Sequence, residues 1–302
     1  MVQEYAYWMA LAHLKNMSTA KKNELVVRCV EQKRSLADFF SLGLNEKNVH
    51  FSITSEESLL IEEANKQVSN YSFMAEDLLN QGYGIIPITS PNYPLALKEN
   101  LKRTLSPTLL YTKGNKKILH EKAIAMIGSK NAKDPAFAFV NEVAKKASQS
   151  ALVVLSGFTK GIDRESLDAA ARHKGKAIIV LPQGITTFAG GMKQYYRQIV
   201  DGDFLVLSPF LPNASWSPQF AVARTPIIYG LASEVYVVES RDKGETWSAA
   251  VEELKKSRSI YVRSPLELEK NANALLIERG GIPVDQAGNI LKKTSCELNL
   301  FD

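Results

Sequence analysis

The sequence of 302 residues contains only two cysteines, Cys29 and Cys296, and four histidines. The cysteines lie far apart in the chain and form no C-x-x-C pair, which excludes a disulfide-stapled scaffold and a zinc ribbon. The histidines lack the spacing of a metal site, so no metal ion is predicted.

Long apolar runs are also missing. No stretch approaches the roughly 20 consecutive apolar residues that a membrane-spanning helix needs. The first residues lack the basic and then apolar segments of a secretory signal peptide. We therefore expect a cytoplasmic protein with no membrane partner. With 45% hydrophobic and 23% charged residues, the composition is that of a folded globular chain, and its length favours two domains.

Two common nucleotide-binding motifs are absent. The chain has no G-x-G-x-x-G dinucleotide fingerprint and no G-x-x-x-x-G-K-[ST] phosphate loop. NAD-dependent and ATP-dependent chemistry is therefore poorly supported, and no cofactor is predicted.

Positive charge is in excess, and it is unevenly distributed. The net charge is +5, yet residues 1–80 carry eight Lys and Arg against eleven Asp and Glu, a net charge of −3. Residues 81–302 carry the remaining net charge of +8. A basic second part favours a polyanionic ligand, although a basic, solvated surface explains it equally well.

The spacing of apolar residues divides the chain into four parts. Residues 1–80 have apolar side chains at helical spacing, which predicts a small bundle of four or five short helices. Residues 81–120 have the pattern of a connector with two short strands. Residues 121–285 form a second domain, and residues 286–302 form a C-terminal tail.

From residue 121 onward, short apolar runs alternate with helical segments. Strands that are buried on both faces and followed by helices are typical of parallel β/α crossovers. The fold class is therefore α/β, an open, doubly wound parallel sheet of roughly six strands preceded by a small all-helical domain. The predicted strands cover residues 123–127, 151–155, 176–181, 204–207, 234–239 and 259–262. The predicted helices fall near residues 135–148, 162–173, 191–200, 218–231, 246–257 and 271–279.

The loops that follow the predicted strands carry the functional prediction, because ligands of such sheets bind at the carboxyl ends of the strands. These loops are rich in Gly, Ser and Lys, so backbone N–H groups, hydroxyls and lysines can surround an anion at a helix N-terminus. Ordinary strand–helix connections use the same residues, but three such loops on one edge favour a phosphate-rich ligand. The candidate binding residues are Gly128, Ser129, Lys130, Ser156, Gly157, Phe158, Lys160, Gly161, Asp163, Gly184, Arg224, Lys243, Gly244 and Thr246.

Several of these residues also have a structural interpretation. Asp163 stands at a predicted helix start, where an N-cap is the commoner role and ordering of the loop is the alternative. Arg224 faces either a ligand or the solvent. Phe158 and Trp247 are aromatic rings that would stack on bases if they were exposed, although packing is the commoner role of a tryptophan at a helix start.

The order and spacing of several segments resemble the Smf/DprA family of DNA-processing proteins, over about residues 84–283. The most specific segment is S-G-x-x-x-G-I-D at residues 156–163. The segments that carry the resemblance are residues 92–95, 107–114, 127–130, 156–163, 227–232, 237–239 and 273–276.

The resemblance implies an extended Rossmann-like domain preceded by a sterile-alpha-motif-like accessory domain. It also implies single-stranded DNA binding, a homodimer and a RecA-type recombinase as partner, in DNA uptake, natural transformation or recombination. Lys130 takes the position of the family's G-S-R arginine and, with Lys160, is expected to contact DNA. Arg224-Thr225-Pro226 replaces the family's R-N-R, so this chain resembles a divergent member.

Two other functions stay open. One is a sensor of a nucleotide-derived ligand, or a nucleotide hydrolase of the related lysine-decarboxylase-like group, with a role in defence against mobile DNA. Those hydrolases carry P-G-G-x-G-T-x-x-E, which residues 243–247 match only in part. A hydrolase needs a carboxylate near a ribosyl carbon and a clamping arginine, and no such set stands out, so no catalytic residue is predicted. The other function is an interaction scaffold with a vestigial pocket, against which the retained Lys130 and Lys160 argue.

Overall fold

A computed structural model describes residues 2–267 and 269–291, and it contains a helical domain followed by a nine-stranded sheet with flanking helices. The helices are α1 (Val2–Ala12), α2 (Thr19–Glu31), α3 (Leu36–Ser41), α4 (Leu44–Phe51), α5 (Ser55–Lys66), α6 (Val68–Asn80), α7 (Leu95–Leu105), α8 (Asp134–Gln149), α9 (Ile162–Arg172), α10 (Ala189–Gln194), α11 (Tyr196–Asp201), α12 (Pro218–Leu231), α13 (Glu245–Lys255) and α14 (Asn273–Glu278). The strands are β1 (Tyr83–Pro87), β2 (Leu109–Gly114), β3 (Ala123–Gly128), β4 (Val153–Ser156), β5 (Ala177–Val180), β6 (Phe204–Ser208), β7 (Glu234–Glu239), β8 (Ile260–Arg263) and β9 (Ile282–Val284). None of the helices in these residues is long and apolar enough to cross a membrane.

The helical domain has six helices, so the prediction of four or five was wrong. Ser18 and Ser35 cap α2 and α3, and the side chain of each accepts a hydrogen bond from a backbone N–H. The count differs because a short helix, α4, follows α3 directly, with Gly43 as its N-cap. In addition, the helical stretch that begins at Ser55 is divided at Gln67 into α5 and α6.

The sheet has the strand order β1-β2-β6-β5-β4-β3-β7-β8-β9. Strands β3 to β9 are parallel, whereas β2 pairs antiparallel with β6 and β1 pairs antiparallel with β2. The chain runs from β3 outward to β6 and then crosses back to place β7 on the other side of β3. The carboxyl ends of β3 and β7 therefore flank the point where the strand order reverses, which is where such sheets bind ligands.

The doubly wound fold is confirmed, with differences at its edges. The six predicted strands correspond to β3–β8, and β9 was missed because its three residues, Ile-Pro-Val, form too short a run to stand out. The helix predicted at 191–200 is divided at Tyr195 into α10 and α11. Of the predicted tail, residues 286–291 form a turn closed by a bridge between Val284 and Ile290, and residues 292–302 lie outside the described residues.

The segment predicted as a connector, residues 81–120, contributes β1 and β2 to the same sheet and contains a helix, α7, that was not predicted. Leu97 and Leu101 of α7 are buried against α12 at Gly230, where an added Cβ would stand 2.9 Å from the Cγ of Leu101. Helix α7 thus packs against α12 and supports its position on the sheet.

Two side chains of the helical domain, Asn23 and His13, form hydrogen bonds to the sheet domain. The side chain of Asn23 on α2 donates to the backbone oxygens of Arg103 and Ser106 at 2.9 and 2.8 Å, and it accepts from the Thr108 hydroxyl at 2.8 Å. The His13 imidazole lies 2.8 Å from the hydroxyl of Tyr111 on β2. Because these groups are buried or half-buried, their bonds fix the relative position of the two domains.

The His13 contact predicts a loss of stability in acid. Burial, together with the charge of Lys22, lowers the pKa of His13 from 6.5 to about 3. The unfolded chain therefore takes up a proton below pH 6.5 that the folded protein refuses until about pH 3, and the free energy of unfolding falls through that window. The expected loss from this residue is about 2 kcal/mol between pH 7 and pH 5.

Urea unfolding of wild type and His13→Gln at the two pH values measures this loss, because glutamine keeps a polar group near Tyr111 and does not titrate. The variant should lack about 2 kcal/mol of the wild-type pH dependence. Equal pH dependence in the two proteins would contradict the assignment to His13.

Candidate nucleic-acid interface

A cleft of about 320 Å³ opens between the carboxyl ends of β3 and β7. Its walls come from the β3–α8 loop, the β4–α9 loop, one side of α12 and the β7–α13 loop. The residues that line it are Ile127, Gly128, Ser129, Lys130, Asn131, Thr159, Asp163, Arg224, Thr225, Ile228, Tyr229, Glu239, Ser240, Arg241, Lys243, Gly244, Glu245, Thr246 and Ala249. Eight of the fourteen predicted residues are in this set.

The first loop is bound to the end of β7. The register between β3 and β7 shifts between Ile127 and Gly128, so that Gly128 pairs with Glu239. The Ser129 N–H donates to the backbone oxygen of Glu239 at 3.0 Å, and the Ser129 hydroxyl accepts from the Asn131 N–H at 3.1 Å. This turn presents the exposed Lys130 at the mouth of the cleft.

The second loop touches the first at Gly161. Gly161 has φ +85°, and a Cβ at this position would stand 2.4 Å from the backbone oxygen of Ser129 and 2.7 Å from the Lys130 Cα. Only glycine fits such a backbone conformation at such a close approach. Lys130 and the exposed Lys160 therefore stand on two loops whose backbones are in contact.

Arg224 is the buried centre of the site and does not face the solvent. It is only 3% exposed, its Nη1 donates to the Val180 oxygen at 2.8 Å, and its Nη2 lies 3.4 Å from the Asp163 carboxylate. Its guanidinium lies directly on Gly157, where a Cβ would stand 1.7 Å from Nη1. Gly157 is therefore required by packing against Arg224.

Asp163 orders the loop. The N-cap of α9 is Gly161, so the N-cap role expected for Asp163 was wrong. The Asp163 carboxylate accepts hydrogen bonds from the Thr159 N–H and hydroxyl as well as from Arg224. One carboxylate thus ties the β4–α9 loop to α12.

Six of the predicted residues do not line the cleft, namely Ser156, Gly157, Phe158, Lys160, Gly161 and Gly184. The Ser156 hydroxyl is buried and donates to the backbone oxygen of Asp163 at 2.6 Å, so it is not free to bind a phosphate. Phe158 is half-buried, packs edge-on against Phe188 and carries the Arg164 guanidinium 3.7 Å above its ring centre. One ring face is thus occupied, contrary to the expectation of an open stacking ring.

Gly184 serves another loop. A Cβ at Gly184 would stand 2.2 Å from the Pro212 oxygen and 2.3 Å from the Leu211 oxygen. Its N–H donates to the Ala214 oxygen at 2.8 Å. The residue therefore permits a close approach of the β6–α12 loop, and the structure gives it no place in the cleft.

The β7–α13 loop forms the opposite rim. Lys243 and Gly244 are exposed, and Gly244, with φ +99°, is the N-cap of α13. Thr246 is half-buried in the cleft wall, and the adjacent Glu245 accepts a hydrogen bond of 2.9 Å from Thr225. Trp247 is half-buried with Arg279 5.3 Å above its ring centre, as expected of a packing residue.

The charge of the cleft is concentrated at its mouth. Arg224 and Asp163 neutralise each other inside, and Glu239 and Glu245 add negative charge to the wall. The exposed cations that line the mouth are Lys130, Arg241 and Lys243, and a fourth, Lys160, is exposed directly after the lining residue Thr159. In residues 2–267 and 269–291, none of these four side chains forms an ion pair. They are therefore available to an anionic ligand at the surface.

Helix dipoles add to this positive mouth. Helices α8, α9 and α13 begin next to the cleft, and none has a side-chain hydrogen bond at its N-cap. Their first backbone N–H groups carry partial positive charge, which favours phosphate oxygens. Acidic residues in the first turns, such as Glu245, offset part of this charge.

Sequence reasoning missed several lining residues. Arg241 and Thr159 stand inside loops that were recognised, so a full count of polar residues in those loops would have found them. Thr225 and Tyr229 lie on α12, whose cleft-facing side has no distinct sequence pattern. Burial raises the pKa of Tyr229, and its hydroxyl has no hydrogen-bond partner in the part of the chain that the structure describes.

Comparison with known proteins identifies the family of this chain. Residues 84–295, which include every strand of the sheet except the first residue of β1, match the family described as DNA recombination-mediator protein A. The chain belongs to this family. The match covers the cleft and its loops, so the predicted resemblance is confirmed.

Family members with characterised sequences match part of the chain. The DNA processing protein DprA of Bacillus subtilis is 29% identical over 189 residues, which are 60% of this chain and 60% of the relative. The Streptococcus pneumoniae DprA is 28% identical over 156 residues, 52% of this chain and 55% of the relative. The chain thus aligns with less than two thirds of the length of these relatives.

Solved structures of the family share the fold. The structure of S. pneumoniae DprA matches with a TM-score of 0.66 and 22% identity, over 93% of this chain and 94% of that chain. The structure of DNA processing protein A from Helicobacter pylori matches with a TM-score of 0.56 and 19% identity, over 67% of this chain and 90% of that chain. The latter structure is described as revealing a unique single-stranded DNA binding mode.

Proposed function

We propose that this protein binds single-stranded DNA at the mouth of the cleft, as a DNA-processing protein and not as an enzyme. The observation that carries the proposal is the set of four exposed cations on touching or facing loops at the switch point of the sheet. Such cations attract a phosphate backbone without reading its sequence. Family membership, and the binding mode described for the H. pylori relative, support the same ligand.

A salt series tests the proposal. If Lys130, Lys160, Arg241 and Lys243 each contact a phosphate, the slope of log affinity against log salt is about −2.8, because single strands give about −0.7 per contact. A fourfold rise in salt then weakens binding about 50-fold. Fluorescence anisotropy with labelled oligo-dT measures this slope, with unlabelled duplex as competitor. Affinity independent of salt, or duplex competing as well as single strand, would contradict the proposal.

A small nucleotide-derived ligand is the second candidate, and the interior of the cleft favours it. About 320 Å³ is space for a small molecule, the buried Tyr229 hydroxyl and Arg224 Nε lack partners in the described residues, and Glu239 supplies a carboxylate. Incubation with nucleoside monophosphates tests both forms of this candidate. A thermal shift without release of base indicates a sensor, and released base indicates a hydrolase.

The protein's location and partners follow from the proposed role. We propose a cytoplasmic homodimer that hands single-stranded DNA to a RecA-type recombinase in uptake, recombination or defence against mobile DNA. Light scattering should give twice the mass of one chain. Strand exchange by the recombinase on DNA coated with single-strand-binding protein should accelerate when this protein is added.

A further inference from the structure

An exposed tryptophan lies on the β6–α12 loop, outside the residues that line the cleft. Trp216 is 53% exposed, whereas Trp8 is buried and Trp247 is half-buried. Exposed apolar side chains of this size commonly mark an interaction site when other apolar groups adjoin them. The loop begins at the carboxyl end of β6, so Trp216 is on the same edge of the sheet as the cleft.

The loop that carries Trp216 is held in one conformation. The Gly184 N–H donates to the Ala214 oxygen at 2.8 Å, and the N–H and hydroxyl of Thr186 donate to the Pro212 oxygen at 3.0 and 2.6 Å. Ser217, directly after Trp216, caps α12 by accepting from the Phe220 N–H. A ring on so well anchored a loop loses little conformational entropy when it meets a flat ligand.

The surface around this loop is uncharged and aromatic. Residues 204–223 contain no charged side chain, although much of the stretch after residue 212 is exposed. Phe210 and Phe220 stack with ring centres 4.1 Å apart at an angle of 17°, and Val222 is 63% exposed. An uncharged aromatic surface beside a basic rim is the combination by which single-strand-binding proteins hold bases and backbone together.

From these observations we propose that Trp216 stacks on an unpaired base of a DNA strand whose phosphates occupy the mouth of the cleft. The inference rests on the proposed function and adds a base-binding position to it. Helix α12 begins two residues after Trp216, and its residue Thr225 lines the cleft. Pro218 and Thr225 are about 10 Å apart along the helix axis, at 1.5 Å per residue. A short single strand can therefore contact both places.

Oligo-dT and an abasic strand of the same length separate base contacts from phosphate contacts. Trp216→Ala should weaken oligo-dT binding roughly five- to 150-fold, the range that base stacking gives on alanine substitution, and should leave the abasic strand unaffected. Trp216→Phe should restore most of the affinity. Phe73→Ala is the matched control, because Phe73 is 73% exposed on α6, in the helical domain.

The possible outcomes distinguish this inference from the function on which it rests. If wild type binds neither strand, both proposals fail. If wild type binds oligo-dT and Trp216→Ala binds it equally well, only the stacking position is overturned. An equal loss of affinity for both strands would also overturn it, because the effect would not depend on the bases. A change of oligomeric mass without a change in affinity would overturn it too and would indicate a protein contact at this surface.

Discussion

Replacement of Lys130 and Lys160 by glutamate should abolish tight binding of single-stranded DNA. The two lysines are exposed on loops that touch at Gly161; Lys130 lines the cleft, and Lys160 directly follows the lining residue Thr159. A hydrogen bond to a charged partner contributes about 1.5–3 kcal/mol, so loss of two phosphate contacts predicts at least about a hundredfold weaker binding. The salt slope should become shallower by about 1.4.

A matched charge change separates local contact from net charge. Lys122 and Lys174 are exposed at the amino ends of the parallel strands, opposite the cleft; Lys122 precedes β3, and Lys174 lies between α9 and β5. Lys122→Glu/Lys174→Glu lowers the net charge by the same four units without altering the cleft. This variant should keep most of the affinity and the wild-type salt slope. If both double variants lost affinity equally, binding would depend on the overall charge, and the cleft would not be the site.

The parallel sheet was predictable because its strands are buried on both faces. Buried strands give uninterrupted apolar runs, and the strand predicted at residues 176–181 contains β5, all four residues of which are buried. The switch point, and hence the place of the cleft, depends on which strands pair, so it follows from the observed strand order and not from the apolar runs. The antiparallel β1 and β2 were recognised as strands but not as part of this sheet, because pairing partners are not encoded in a local pattern.

The roles of individual residues were less predictable, because they depend on contacts between distant segments. Gly157, Gly161 and Gly184 all belong to glycine-containing loops after strands, yet they meet Arg224, the Ser129 turn and the loop around Pro212, respectively. Sequence identifies a loop in which glycine is permitted, but it does not say which neighbour requires glycine. The same limit applies to Arg224, whose burial follows only from the position of α12.

A series of glycine substitutions tests whether the two lysine-bearing loops depend on their contact. Gly190 lies in α10 with open space around it, and Gly244 has φ +99° with open space, whereas Gly161 has both a positive φ and a backbone collision. Gly190→Ala should leave the free energy of unfolding unchanged or raise it slightly. Gly244→Ala should lower it by about 1–3 kcal/mol through backbone strain alone.

Gly161→Ala should lower the free energy of unfolding by about 4 kcal/mol, because strain and collision add. The atoms that the new Cβ would meet, the Ser129 oxygen and the Lys130 Cα, are backbone and cannot rotate away. The loops must therefore separate, which moves Lys130 away from Lys160 and should also weaken binding of oligo-dT. Urea unfolding of the three variants measures the series. Equal losses for Gly161→Ala and Gly244→Ala would show that the loops yield to the collision and that their contact does not set the spacing of the lysines.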